Sequence, residues 1–226
     1  MQRFLAVFPL VLVGFLAQAQ TVSETRTLNA FDQLALSNSI EAELVPGDEY
    51  EITITASGID PENIVAEVNK RKLTVSVSGT NPKSSSVKVV ITYNQLDDVE
   101  VDTGAKAIIN GLLEHKSIRL QVASNGYLEA EVNAEDLFLR AETNSKMYVK
   151  GKANNLDYNA FTNAEIDGEN LVVNNAEVRT NTNASGSFEV LESLKGTAAT
   201  RGRIKYKGDP NEVDIKESIG GAIKKW

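Results

Sequence analysis

Cysteine is absent from this 226-residue chain, and histidine and tryptophan occur once each. Without cysteine the protein has no disulfide bond, no thiol nucleophile and no thiolate ligand for a metal. The one histidine, His115, lies between Glu114 and Lys116, in a segment that we predict to be a solvated loop. A Ser-His-Asp triad would depend on that single side chain, and the chain has no Gly-x-Ser-x-Gly motif. The sequence therefore assigns no catalytic, cofactor-binding or metal-binding residue.

Positive charge is also scarce, and no basic stripe runs along the chain. The sequence has 23 lysines and arginines against 31 aspartates and glutamates, a formal net charge of −8. An acidic surface repels the phosphate backbone of DNA and RNA, so we expect no nucleic-acid partner.

One long hydrophobic run is present, and it lies at the N-terminus. Arg3 precedes the apolar residues 4–16, and Ala17-Gln18-Ala19 has the small-x-small pattern that a signal peptidase cleaves. The run is shorter than the roughly 20 residues that span a bilayer, so we expect no stable transmembrane anchor. We predict a signal peptide over residues 1–19, a mature chain that begins at Gln20, and export to the periplasm, the outer surface or the medium.

Residues 20–30 form a short lead, and an N-terminal antiparallel β region is predicted over residues 31–95. Apolar and polar residues alternate over 40–44 and again over 50–54, with a Pro-Gly-Asp-Glu turn between them, which predicts a first hairpin. Residues 64–68 and 73–77, joined by the polar residues 69–72, predict a second hairpin. A polar loop over 81–86 then leads to a strand over 87–93.

From residue 96 to 226 the chain repeats with a period of 18 to 21 residues. The repeats begin at seven small polar positions: Thr103, Ser124, Thr143, Thr162, Thr182, Thr200 and Ser218. Apolar residues recur at fixed offsets from these starts, two strands to a repeat, and such a unit buries its apolar side only by stacking on its neighbours. We therefore predict an all-β fold, a right-handed β-solenoid of about seven coils that is continuous with the N-terminal hairpin region.

Two kinds of corner are predicted for each coil. Asparagine follows the repeat start in four coils, where it tolerates left-handed backbone and where stacked amides bond along the axis: Asn125, Asn144, Asn163 and Asn183. Glycine marks a second corner eight residues after the start in three coils: Gly111, Gly151 and Gly208.

The densest group of carboxylates is Asp97, Asp98, Glu100 and Asp102. Glu100 and Asp102 are two residues apart, which on a strand places both on one face, an arrangement compatible with a calcium site or an acid/base pair. The alternative is a turn at residues 97–98 followed by the wet face of a strand. The repeat also lacks the Gly-Gly-x-Gly-x-Asp nonapeptide of calcium-binding β-rolls.

Two further sets of side chains are candidates for carbohydrate contact. Arg140 and Arg179 lie in one outward column, which Asn159 interrupts, and this column is either a solvated face or part of a groove like that of polysaccharide lyases. Four aromatic rings are candidates for stacking on sugars, although the third falls in an inward column and the fourth is predicted to cover the last coil: Tyr127, Tyr148, Tyr206 and Trp226.

The segment Leu96-Asp97-Asp98-Val99-Glu100-Val101-Asp102-Thr103-Gly104, the recurrent small polar corners and the closing stretches over 202–210 and 218–221 carry a family likeness. In these features the chain resembles the putative auto-transporter adhesin, head GIN domain family, over residues 31–225 as one domain. The resemblance implies an envelope protein of Bacteroidota and brings no catalytic residue. Thr-Asn replaces many of the family's Ser-Gly corners.

These observations favour a non-enzymatic exported protein, an adhesin or binding scaffold that acts through the outward faces of a β-solenoid. Its partner would be a surface polymer or a protein, and we expect self-association through the faces or the ends of the stack. The alternative is a carbohydrate-active β-helix that uses Glu100, Asp102 or the face around Arg140. A role in envelope stress or sensing is a third reading.

Overall fold

The computed structural model describes residues 21–79 and 84–226, so the predicted signal peptide lies outside the described residues. Within these ranges the protein is built from strands, with one 3-10 turn at Pro61–Asn63. No helix among the described residues has the length and apolar character to cross a membrane. The strands are β1 Thr21–Thr27, β2 Gln33–Leu36, β3 Glu41–Pro46, β4 Glu51–Ser57, β5 Ile64–Asn69, β6 Lys72–Val77, β7 Ser86–Tyr93, β8 Asp98–Val101, β9 Lys106–Val122, β10 Tyr127–Glu142, β11 Lys146–Phe161, β12 Glu165–Thr180, β13 Ser185–Ala198, β14 Arg203–Lys207, β15 Glu212–Glu217 and β16 Ala222–Lys225.

The long strands β9 to β13 are the middle coils of a solenoid. Each runs for 14 to 17 residues through a bend and pairs in parallel with the next. The register places Leu128 beside Ala107 on one side and beside Met147 on the other, as the repeat predicts. The predicted all-β solenoid of about seven coils is confirmed.

Both predicted corners are present. The four corner asparagines have φ between 59° and 65°, and the serine or threonine before each also has positive φ. Asn163 donates to Asn144 at 3.2 Å and accepts from Asn183 at 3.2 Å, which confirms the predicted ladder of amides. The glycines of the second corner have φ of 85°, 115° and 95°, a region open to glycine at little steric cost.

Inward columns form the core between the two sheets of the solenoid. One column contains Ile118, Leu137, Leu156, Ala176 and Leu194, all of which are buried and aligned in register. Each such side chain contacts the coil above and the coil below, and full burial of a leucine contributes about 1.5–3 kcal/mol. This packing does not depend on disulfides, consistent with the absence of cysteine.

The N-terminal region adds coils to the same stack, which the sequence did not predict. β2 and β3 pair in parallel with β8 and β9, and they meet at a corner where Asn38 and Ser39 have positive φ. β6 and β7 lie next in the stack and pair in parallel with β2 and β3. The predicted first hairpin is therefore wrong: β7 inserts between β3 and β4, because its apolar residues extend the same inward column.

The second predicted hairpin is confirmed. β5 and β6 are antiparallel and joined at Lys70 and Arg71, both with the positive φ of a two-residue hairpin turn. Antiparallel strands β1 and β4 extend the opposite sheet beyond β7. The N-terminal region thus combines antiparallel and parallel pairs.

Candidate binding surfaces of the solenoid

The stack presents two broad outward surfaces. The first face is formed by β1, β4, β7, β3, the initial halves of β9 to β13, and then β14 and β16. The second face is formed by β5, β6, β2, β8, the final halves of β9 to β13, and β15. Because side chains alternate along a strand, every second residue of these segments points outward.

An open groove of about 360 Å³ lies on the first face across β9 to β12. Its floor follows one outward column, in which Ile108, Glu129, Tyr148 and Asp167 are aligned on successive strands. Tyr148 is 37% exposed, and its ring lies 5.6 Å from the ring of Tyr127, tilted by 44°. A half-exposed aromatic pair beside polar groups is a surface suited to stacking and hydrogen bonding.

The groove carries more negative than positive charge. Four carboxylates line it, Glu129, Glu131, Asp167 and Glu169, against the single ammonium group of Lys150, which pairs with Glu131 at 2.9 Å. A polyanion would be repelled here, and a neutral or cationic ligand would not.

Tyr127 is fixed beside the groove as a neutral phenol. Its hydroxyl donates to the carboxylate of Glu129, and the ammonium group of Lys106 lies 4.8 Å from its ring centroid. Desolvation and the bond to Glu129 raise the pKa of Tyr127 far above its ordinary value. The hydroxyl therefore remains a donor, and its ring is held against Tyr148.

The other two candidate rings lie at the C-terminal coil. Tyr206 is partly buried against the core, in agreement with its predicted inward column. Trp226 is half exposed and lies under Lys207 and Lys205, at 4.4 and 5.6 Å from its ring. The terminal tail lies at the end of the stack, because Lys224 and Lys225 belong to β16, which pairs beside β14 as the last strand of the first face.

Glu100 and Asp102 line one shallow pocket of the second face, as predicted, although β8 itself ends at Val101. Glu100 pairs with the Lys72 ammonium group at 2.6 Å, whereas the Asp102 carboxylate accepts from the backbone N–H of Thr103 at 2.5 Å and so caps the corner. Among residues 21–79 and 84–226 no group of three or more histidine or carboxylate side chains is arranged to hold a metal ion.

Both arginines of the outward column on the second face form ion pairs, within their own strand or with the neighbouring strand. Arg140 pairs with Glu142 at 2.5 Å, and Arg179 pairs with Glu177 and lies 3.6 Å from Asp157. The register confirms that Asn159 separates the two arginines. Exposed pairs of this kind contribute about 0–1 kcal/mol each and leave the face with mixed charge.

His115 lies within β9, at the bend between the two faces, so the predicted loop is wrong. Its side chain is about one-third exposed, with Nδ1 3.8 Å from the Asp97 carboxylate and 3.0 Å from the Ser117 carbonyl oxygen. Burial, reinforced by the nearby charge of Asp32, raises the pKa of Asp97, and His115 opposes that change.

One oxygen of the Asp98 carboxylate lacks a hydrogen-bond partner in the described part of the chain. This atom, Oδ1, is buried. Arg119 approaches the other oxygen at 3.7 Å. Desolvation, with the neighbouring charge of Glu100, raises the pKa of Asp98 above its ordinary value of 3.8 in spite of Arg119 and Lys72.

Replacing Asp98 by asparagine is expected to stabilise the protein at pH 7 by about 1 kcal/mol, because desolvation of the carboxylate and the charge of Glu100 outweigh the attraction of Arg119 and Lys72, and asparagine removes the charge while keeping the shape. The fold disfavours the ionised form, so its cost is full above the raised pKa and is lost as pH falls below the ordinary aspartate value of 3.8. Thermal melts from pH 7 to pH 3 should show a gain of about 2–4 °C that disappears in acid. A lower melting temperature for the variant at pH 7 would contradict this account.

The sequence singled out the rings of Tyr127 and Tyr148, but neither the carboxylates of the groove nor the groove itself was predicted. The signal was available in the repeat, since Glu129 and Tyr148 occupy the same offset in successive coils. Lys72 was missed as the partner of Glu100 because β6 reaches the second face only through the out-of-order stacking of the N-terminal strands.

The comparisons with known proteins agree with this architecture. The family model for "Putative auto-transporter adhesin, head GIN domain" matches residues 30–210, which confirms the resemblance seen in the sequence. No curated protein matches the chain. A putative adhesin from Bacteroides fragilis has the same fold, with a TM-score of 0.81, 16% identity and coverage of 92% of this chain and 97% of its own.

Two further solved structures share the fold. A putative adhesin from Parabacteroides merdae gives a TM-score of 0.76 at 19% identity, covering 92% of this chain and 96% of its own. A putative lipid binding protein from Parabacteroides distasonis gives 0.69 at 17% identity, covering 91% and 96%. At these identities the likeness concerns the fold alone.

Proposed function

Because the chain belongs to the putative auto-transporter adhesin, head GIN domain family, we propose that it is an exported, non-enzymatic adhesin of the cell envelope. In this proposal the leader over residues 1–19 directs export, and the solenoid presents a rigid surface to a partner outside the cytoplasm. The family supports an adhesin-like protein, and the architecture supports a scaffold whose repeated residues serve packing and turning.

The observation that carries the proposal is the groove on the first face. It combines the exposed ring of Tyr148 with four carboxylates and the amide of Asn110, on strands whose backbone is fixed by pairing on both sides. Rings on a rigid platform stack on the apolar face of a sugar or on a partner side chain at low entropic cost. The excess of carboxylates favours a neutral or cationic partner, such as an uncharged envelope polysaccharide or a basic protein surface.

Replacing Tyr148 by alanine is expected to weaken binding about tenfold or more, because loss of a central aromatic contact costs about 1.4 kcal/mol or more. The ligand is first identified by exposing the full chain to a panel of neutral, cationic and anionic glycans and to envelope extract. The affinity of the hit is then measured by calorimetry for the native protein and the variant.

Val90 provides the matched control, since it is an exposed apolar residue on β7 in the same outward column of the first face, outside the groove. Val90→Ala should bind like the native protein. Equal affinities for the native protein and the Tyr148 variant would show that the ligand binds outside this groove. Preference for an anionic glycan would contradict the electrostatic argument.

A further inference from the structure

The groove around Tyr148 continues along the first face toward the C-terminal end of the stack. A second open space of about 260 Å³ lies across β12, β13 and β14 and extends to Trp226. The groove and this second space share two lining residues on β12, Asp167 and Glu169, so they adjoin along that strand. Together they form an axial channel from Ile108 on β9 to Trp226 beyond β16, since the strands that line it follow one another along the solenoid axis.

The floor of the channel is low at β13, because residues 185–187 are small and lie between the longer side chains of β12 and β14. The Lys207 ammonium group meets the Glu169 carboxylate at 3.1 Å, so side chains of β12 and β14 are long enough to reach each other across β13. Asp167 and Lys205 also flank this strand, but they bond elsewhere. Asp167 accepts from the serine hydroxyl at position 187, at 3.1 Å, and Lys205 lies over the indole ring. The channel is therefore open between them.

The charge of the channel changes sign along its length. The groove around Tyr148 has an excess of carboxylates, which come from β10 and β12. The C-terminal strands β14 and β16 contain no carboxylate side chain, and their outward side chains include four cations: Arg203, Lys205, Lys207 and Lys224. A polyanion would therefore be attracted at one end of the channel and repelled at the other, and the reverse holds for a polycation.

An uncharged chain with many hydroxyl groups avoids this repulsion in both halves of the channel. Hydroxyl groups both donate and accept, so they can donate to the carboxylates of one half and accept from the ammonium and guanidinium groups of the other. Arg203 and Lys205 line the channel, and neither has an ion-pair partner within residues 21–79 and 84–226. Their donors are therefore available to a ligand.

Two exposed aromatic rings lie at separate points along the channel. Tyr148 is 37% exposed on β11, and Trp226 is 50% exposed just after β16. The outward column that contains Tyr148 passes through β12, β13 and β14 to Lys224 on β16, and Trp226 follows two residues later with its side chain toward the same face. The two rings are therefore four strand spacings apart, about 19 Å along the axis.

We propose that the axial channel binds an uncharged linear polysaccharide, which lies along the solenoid axis and stacks on Tyr148 and Trp226 at once. The strand spacing of about 4.8 Å is close to the length of one sugar unit in an extended chain, so a chain of about four or five units reaches from ring to ring. A basic protein surface, by contrast, would meet the cations of β14 and β16. This inference rests on the proposed function, because both depend on the Tyr148 contact, and it adds the class of polymer, its direction and a second aromatic contact.

The dependence of affinity on chain length tests whether both rings hold one polymer. Linear neutral glucans, mannans, xylans and galactans are first compared with polygalacturonate and chitosan for binding to the full chain by calorimetry. Oligomers of two and six units are then prepared from the polymer that binds best. For the native protein the six-unit oligomer should bind at least about tenfold more tightly than the two-unit oligomer, because only the longer one reaches both rings. In Trp226→Ala this ratio should fall to about two or less.

Two further variants serve as controls. Trp226→Phe keeps an aromatic ring and should retain most of the gain in affinity with length. Val213 is 49% exposed on β15, at the same end of the stack but on the second face, so Val213→Ala should bind both oligomers like the native protein. All three variants should keep the strand signal of the native protein in circular dichroism.

The outcomes distinguish this inference from the proposed function. If Tyr148→Ala weakens binding but the affinity depends neither on oligomer length nor on Trp226, the axial channel is overturned and the proposed function stands. If Tyr148→Ala has no effect, both are overturned. A charged polymer that binds more tightly than every neutral one would overturn the assignment of an uncharged polysaccharide, and so would the absence of binding by any neutral polymer at millimolar concentration.

Discussion

The Gly151→Ala variant is expected to lose about 3 kcal/mol or more of its free energy of unfolding. Gly151 has φ of 115°, where an L-residue is strained, and a Cβ atom there would overlap the carbonyl oxygen of Val132. Strained backbone costs about 1–3 kcal/mol and overpacking a further 1–3 kcal/mol. The overlap is with backbone of the preceding coil, aligned in register with Gly151, so the pairing of two coils must open to admit a methyl group.

Chemical denaturation gives the measurement, with the midpoint expected to fall while the slope stays constant. Gly79→Ala is the control that isolates the backbone contribution, since Gly79 has φ of 75° and a Cβ atom there would meet none of the described residues within 4 Å. That variant should lose only about 1 kcal/mol. Equal losses at the two positions would show that the approach of the coils at the corner does not restrict residue size.

Gly208 extends the argument to the C-terminal half of the stack. It occupies the same corner with φ of 95°, and its Cβ atom would overlap the Val190 carbonyl oxygen. Two glycines at equivalent corners thus meet the same obstruction, although they are 57 positions apart in the chain. Gly151 and Gly208 are therefore required by the close approach of adjacent coils as well as by φ, whereas a Cβ atom at Gly111 would meet only the side chain of Pro46, at 3.1 Å.

The repeat predicted the solenoid because every coil has nearly the same length and places its apolar residues at the same offsets. Inward columns such as Ile118, Leu137 and Leu156 were visible in the sequence, since parallel in-register strands place equivalent offsets side by side. The N-terminal coils were not visible for two reasons. Their corner at Asn38 and Ser39 is not followed by a long strand, and β6–β7 stacks beyond β2–β3 out of chain order.

Surface chemistry was harder to predict because it depends on neighbours in adjacent coils and on strands from distant parts of the chain. The pairing of Glu100 with Lys72 follows from the position of β6, and no offset within the repeat indicates it. The groove around Tyr148 lies within the regular coils, so its members were identifiable from the register once the columns were aligned.

One inward column is interrupted by a glycine, and a large side chain from another column explains why. Gly186 interrupts a column that otherwise contains Leu128, Met147, Ile166 and Ile204. A Cβ atom at position 186 would overlap the hydroxyl of Tyr158, whose fully buried side chain occupies the space. The large ring on one sheet and the missing side chain on the other are thus complementary in volume.

Replacing Tyr158 by alanine is accordingly expected to cost about 3–5 kcal/mol, the range for removing a buried aromatic ring. The ring packs 5.8 Å from Phe188, and its hydroxyl donates to the carbonyl oxygens of Ser185 and Ile166, at 3.2 and 3.3 Å. With glycine at position 186, the facing strand has no side chain at that position to occupy the space left by the ring. Tyr158→Phe should lose only about 1 kcal/mol, since it keeps the ring and removes the hydroxyl.

Tyr148→Ala completes the comparison, since Tyr148 lies on the same strand, β11, with its ring at the surface. It should change stability by less than about 1 kcal/mol, because surface substitutions rarely do more. Denaturant titrations of the three variants should therefore give losses in the order Tyr158→Ala, Tyr158→Phe, Tyr148→Ala. A loss for Tyr158→Ala no larger than that for Tyr158→Phe would mean that the two sheets move together and close the cavity. The contact between Tyr158 and Gly186 would then not determine the distance between the sheets.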